Sequence, residues 1–167
     1  LSQILSNNDY ETATEISQTI DPISSGLLIS QLKKWIDQSA YENITNSFSC
    51  KNKKHLIAEF FFLISNLYAA DENYLKSNFY LNISYFLNPN FYFNLSLLAE
   101  NYFINENYTS SKKILDVFLE QDEVYFWFKV KKNTQILKEK QKNEDALKYL
   151  EKNFKKIKNP SIKIIFD

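Results

Sequence analysis

Arginine and methionine are absent from the chain, and glycine, cysteine and histidine occur once each, at Gly26, Cys50 and His55. A single glycine rules out the glycine-rich loops that cradle phosphates. A single cysteine excludes an internal disulfide, and Cys50 with His55 supplies too few soft ligands for a structural zinc site. Both read as structural residues, a small buried thiol and a loop imidazole. One His and one Cys do not make a catalytic triad, and no HExxH motif is present. The expectation is therefore no catalytic residue, no metal and no cofactor. Long apolar runs are also missing, since "HLIAEFFFLISNLYAADE" is interrupted by Glu59, Ser65 and Asn66, and a membrane-spanning helix needs about 18 or more apolar residues in succession. A soluble segment, cytoplasmic or periplasmic, with no membrane insertion is expected. The start at Leu1 and the lack of Met suggest an excerpt or a processed piece, with any leader upstream.

What is present is ample for folding. The chain has 167 residues, 44% hydrophobic and 24% charged, enough for one core that buries roughly 70% of the unfolded surface. Lys, Asn, Ile, Phe and Tyr dominate, the set that AT-rich codons specify, so spacing carries more information here than residue type. Sequons at Asn43, Asn82, Asn94 and Asn107 are what so Asn-rich a chain supplies by coincidence.

The spacing contains a repeat. Residues 58 to 90 laid above 92 to 123 in a register of 34 pair Phe61 with Leu95, Ile64 with Leu98, Ser65 with Ala99 and Tyr68 with Tyr102; Tyr74 then pairs with Tyr108, Ser77 with Ser111 and Leu81 with Leu115. Within a unit, Phe61, Ile64, Ser65 and Tyr68 share one helical face, as do Tyr74, Ser77, Leu81 and Ser84. "AADEN" and "INEN" supply Asp and Asn for helix ends and turns, and Pro89 ends the second helix. No long stretch alternates with a period of two, which excludes strands. The boundaries that follow are a partial repeat over 1–22, a degenerate helix pair over 23–50 broken near Gln38 to Ala40, repeats over 58–91 and 92–124, a degenerate repeat over 125–160 and the start of a helix at 161–167. In the first of these, "LSQILSN" reads as a short helix before a second one with Ala13 at its small position. In the degenerate repeat Ala146 takes a small position and Asn153 stands where a small residue belongs.

With Ala58 as the first position, Phe61, Ile64, Ser65, Tyr68, Ser77, Ser84 and Pro89 resemble the signature of the tetratricopeptide repeat family, as found in long bacterial repeat arrays. The resemblance implies an all-α fold, a right-handed superhelix of antiparallel helix pairs, with the small residues where two helices cross closely. Aromatics then fill the spaces between helices. It also implies a concave groove lined by Glu59, Phe62, Asn66 and Ala69 in one unit, Phe93, Ser96, Glu100 and Phe103 in the next, and Phe128, Lys131, Gln135 and Lys138 in the third. Phe62 and Phe93 would be apolar anchors, or else pack between units; Asn66 and Gln135 would bond a peptide backbone. Glu59 and Glu100 argue against capture of a C-terminal carboxylate.

The function expected is a non-enzymatic scaffold whose partner is a protein or peptide held in that groove. Charge suggests an alternative. Residues 1–128 hold 8 Lys and 15 acids, a balance of −7, and residues 129–167 hold 12 Lys and 5 acids, a balance of +7. A Lys-rich end can attract nucleic acid or another polyanion, but without Arg, and with only Tyr149 and Phe154 interleaved among Lys138 to Lys158, nucleic acid is not the expected partner.

Overall fold

The structure is a computed structural model that describes residues 7, 9–21, 23–158 and 160–167. The short helix expected at "LSQILSN" lies outside the described residues. Among the described residues the fold is all-helical: ten helices and no strand. They are α1 (Tyr10–Gln18), α2 (Leu27–Asp37), α3 (Tyr41–Ser47), α4 (Lys53–Ala70), α5 (Tyr74–Leu87), α6 (Phe93–Ile104), α7 (Tyr108–Leu115), α8 (Glu123–Glu139), α9 (Asn143–Phe154) and α10 (Ile162–Phe166).

Four hairpins, α2/α3, α4/α5, α6/α7 and α8/α9, share one turn. Each has three linking residues whose middle member is left-handed: Ser39 (φ 55), Glu72 (φ 58), Glu106 (φ 57) and Gln141 (φ 57), placed 33, 34 and 35 positions apart. The backbone closes each turn alike, Ala40, Asn73, Asn107 and Lys142 donating to the carbonyls of Trp35, Tyr68, Tyr102 and Leu137 at 2.8, 2.8, 2.9 and 3.0 Å. This six-to-one bond satisfies carbonyls that a helix end leaves free. Glycine is the usual residue there; this chain does without it. After two of the turns an asparagine starts the next helix, Asn73 Oδ1 accepting from the Lys76 amide at 3.3 Å and Asn107 Oδ1 from the Ser110 amide at 3.1 Å.

Small residues sit at the crossings as the register requires. Ala58, Ser65, Ser77, Ser84, Ala99 and Ser111 are all fully buried. Ser84 Oγ donates to the Ala58 carbonyl at 2.5 Å and Ser111 Oγ to the Ala99 carbonyl at 2.9 Å, so the hydroxyls also meet backbone groups that tight packing strips of water. Between hairpins, Asn94 Nδ2 donates to Ser84 Oγ and Asn101 Nδ2 to Ser77 Oγ, both at 2.8 Å. One index rises by seven as the other falls by seven, so α5 and α6 run antiparallel. The main core gathers Leu81, Leu95, Leu98, Leu115, Phe118 and Ile136 with rings from α6 and α8.

Several boundaries differ from the sequence reading. Helix α4 begins at Lys53, capped by Asn52 Oδ1 on the Lys54 amide at 3.0 Å, five residues before Ala58. His55 therefore lies in the first turn of a helix rather than in a loop, and Cys50 is half-buried rather than buried. Asn153 is tolerated in the tight position because Nδ2 bonds the Tyr149 carbonyl at 2.8 Å. The largest departure is the placement of α2/α3. Its helix α2 packs against α8, three hairpins away, and α3 meets the hairpin that follows it in the chain just beyond the end of α5, where Asn88 Nδ2 donates to the Ser47 carbonyl at 2.8 Å.

Candidate functional site

The α2 to α8 contact builds a cleft of about 580 Å³. Leu28, Leu32 and Ile36 of α2 join Ala13 of α1 and Ile44 of α3 in a small core of their own. Toward the main core, Leu27 and Leu28 pack on the cluster that contains Phe62, Phe93 and Phe128. Apolar lining of the cleft comes from Leu27, Val124, Trp127 and Phe128, and its far wall is α10 with Ile164.

Charge is arranged around that lining. Lys34 Nζ lies 2.5 Å from Glu123 Oε2, Lys33 Nζ 3.5 Å from Asp37 Oδ1, and Lys131 Nζ 2.7 Å from Asp167 Oδ2. Lys158 and Lys163 also line the cleft, and Lys163 donates to the Ile23 carbonyl at 3.0 Å. With three cations matched by three carboxylates, two positive charges remain in excess at the rim. Next to it, burial raises the Asp122 carboxyl above its ordinary value and the Lys34 ammonium partly offsets this. Burial also raises the Tyr125 phenol, with Asp122 adding to the effect.

The residues assigned to a groove from the sequence fall into distinct environments. Phe62 is buried, its ring 5.3 Å from Phe93 and 5.5 Å from Phe91, which is packing between units. Asn66 is half-buried and spends its Nδ2 on the Phe62 carbonyl at 2.8 Å. Ser96 is buried and donates to the Phe93 carbonyl at 2.7 Å. Glu100 pairs with Lys132 at 2.6 Å, and Lys132 Nζ also stands 4.3 Å from the Phe103 ring centre. Glu59 and Ala69 are half-buried; Gln135 and Lys138 are exposed. Of the whole set, Lys131 and Phe128 line the cleft.

Sequence reasoning missed the other wall, because α2 reaches α8 only through tertiary packing. The one legible signal was the face carrying Leu28, Leu32, Trp35 and Ile36, which needs cover. Among the described residues no group of three or more His, Cys, Asp or Glu converges as metal ligands do, and no helix is long and apolar enough to cross a membrane. No protein-family model, curated protein or solved structure matches the chain.

Proposed function

We propose that the chain is a non-enzymatic scaffold, a tetratricopeptide-like right-handed superhelix of α4/α5, α6/α7 and α8/α9, that holds a peptide segment of a partner protein in the cleft between α2 and α8. The carrying observation is the cleft itself: an apolar lining of Leu27, Val124, Trp127 and Phe128 under a rim with two more cations than anions. An apolar side chain flanked by Asp or Glu fits such a site. Apolar area supplies affinity there and the rim selects charge. The recurring turn at residues 39, 72, 106 and 141 supports the repeat architecture.

The test uses an immobilised array of short peptides that vary in acidic and aliphatic content, probed with the whole chain. Acidic-aliphatic peptides are expected to bind and to lose roughly tenfold or more in affinity on Lys131→Glu or Lys158→Glu. Binding indifferent to both substitutions removes the cleft from the reading. Failure of every peptide, with salt-sensitive binding of RNA or DNA instead, favours the Lys-rich alternative.

A further inference from the structure

Hairpin α4/α5 is bare where its neighbours are covered. In the register of the repeat, Phe60, Leu63 and Leu67 of α4 correspond to Asn94, Leu97 and Asn101 of α6 and to Lys129, Lys132 and Ile136 of α8. The α6 set is covered by α5 through the bonds from Asn94 and Asn101. In the α8 set Ile136 is fully buried, and Lys129 reaches back to Asp116 at 3.2 Å and to the Phe118 carbonyl at 3.4 Å. On α4 the same positions are open, with Leu67 69% exposed. In the hairpin that precedes α4 in the chain, α2 packs on α8 and α3 bonds to Asn88 and Asn90 beyond the end of α5, and neither covers these positions.

The outer face of α5 is equally unusual. Leu75, Phe79 and Phe86 are exposed, Leu75 and Phe86 at 84% each. Their register partners are Thr109 and Lys113 on α7 with Glu120 beyond its end, and Glu144 and Lys148 on α9 with Lys155 just beyond its end, all exposed and all polar. The apolar surface is thus specific to one hairpin and not a property of the repeat. Ring contacts join its two halves, Phe60 to Phe61 at 5.8 Å, Phe61 to Tyr80 at 5.9 Å and Tyr80 to Phe79 at 5.3 Å. On α4 the positions 56, 60, 63 and 67 are spaced four, three and four apart, the seam of helices that pack side by side.

We infer that this face pairs with the same face of a second copy, α4 against α4 in antiparallel orientation about a two-fold axis. The exposed side chains present on the order of 800 Å² of apolar surface, above the few hundred Å² usual on monomers and near the ~800 Å² per partner of a standard interface. Charge fits that pairing. Lys53 and Lys54 begin α4, Asp71 and Glu72 follow its end roughly 26 Å away, all four are exposed, and none joins an ion pair among the described residues. A two-fold axis brings the basic end of each α4 to the acidic end of the other, and an isologous contact of this kind closes at two copies.

Sedimentation equilibrium of the whole chain tests this, with helicity checked by circular dichroism. A dimer at micromolar concentrations is expected, with Leu67→Asp and Phe86→Asp each weakening it at least ~10-fold at unchanged helicity. The pair Lys53→Glu and Lys54→Glu is expected to weaken it too, and adding Asp71→Lys and Glu72→Lys to restore it. A monomer throughout, association that grows beyond two copies with concentration, or a dimer indifferent to the Asp variants overturns the pairing. So does transfer of the protein from dimer to phosphatidylcholine or phosphatidylserine vesicles through the same residues.

Discussion

Asn94 and Ser84 join in a polar chain that crosses three helices: Asn94 Nδ2 donates to Ser84 Oγ at 2.8 Å, and Ser84 Oγ donates to the Ala58 carbonyl at 2.5 Å. Both residues are fully buried, and Asn94 Oδ1 finds no partner among the described residues. A buried donor that loses its acceptor costs its whole desolvation, about 1–3 kcal/mol, whereas replacing both partners by apolar groups is close to neutral. Ser84→Ala is therefore expected to cost about 1–3 kcal/mol and the double variant Ser84→Ala with Asn94→Leu markedly less than the two single costs combined. Urea denaturation of the four proteins in a double-mutant cycle reads the coupling; simple additivity would show that the contact carries no energy.

The left-handed turn residues store strain that can be removed. A side chain at such a φ costs about 1–2 kcal/mol relative to its right-handed form, and glycine escapes this while losing some entropy on folding. Glu106→Gly and Gln141→Gly should each raise stability by up to about 1 kcal/mol, and Glu106→Val should lower it. Shifts of the urea midpoint at constant slope measure both directions.

Helix α9 lacks the side-chain cap that α5 and α7 have. Lys142 occupies the position of Asn73 and Asn107 but makes no side-chain bond to the helix. Lys142→Asn should stabilise the fold by about 1 kcal/mol, and Asn107→Ala should destabilise it by a similar amount. Hydrogen exchange localises each effect, to α9 in the first variant and to α7 in the second.

His55 gives stability a dependence on pH. Burial holds its imidazole below the ordinary value of 6.5, and Nδ1 accepts from the Ser49 amide at 3.0 Å, which requires an unprotonated nitrogen. The unfolded chain then takes up the proton at higher pH than the folded one. The contribution is complete above about pH 6.5 and is lost as pH falls from there through the folded value. The pH dependence of the urea midpoint in that window should flatten in His55→Gln, and the single imidazole resonance, followed by NMR, should titrate below 6.5.

The repeating hairpin was legible because tight crossings demand small side chains and leave them at fixed spacing. Ser65, Ser77, Ser84 and Ser111 were identified on that ground and all are buried. Phe62 was ambiguous from sequence, since an aromatic on the inner helix serves a groove and a core equally well; the neighbouring rings of Phe91 and Phe93 place it in packing. Glu100 was read as a free groove charge because its partner, Lys132, stands on the next hairpin, a distance no local spacing encodes. The position of α2 was hidden for the same reason. Its apolar face predicts a partner surface without saying which, and Lys34 meets Glu123 across 89 positions.

That contact changes how the molecule comes apart. A row of repeats touching only nearest neighbours frays from its ends, each unit melting on its own terms. Here the first hairpin is bolted to the third one after it, and Lys163 holds the Ile23 carbonyl across 140 positions. Loss of either terminus would strip cover from the other, so the expected denaturation is more cooperative than that of an open row of repeats, and trimming one end is expected to loosen both.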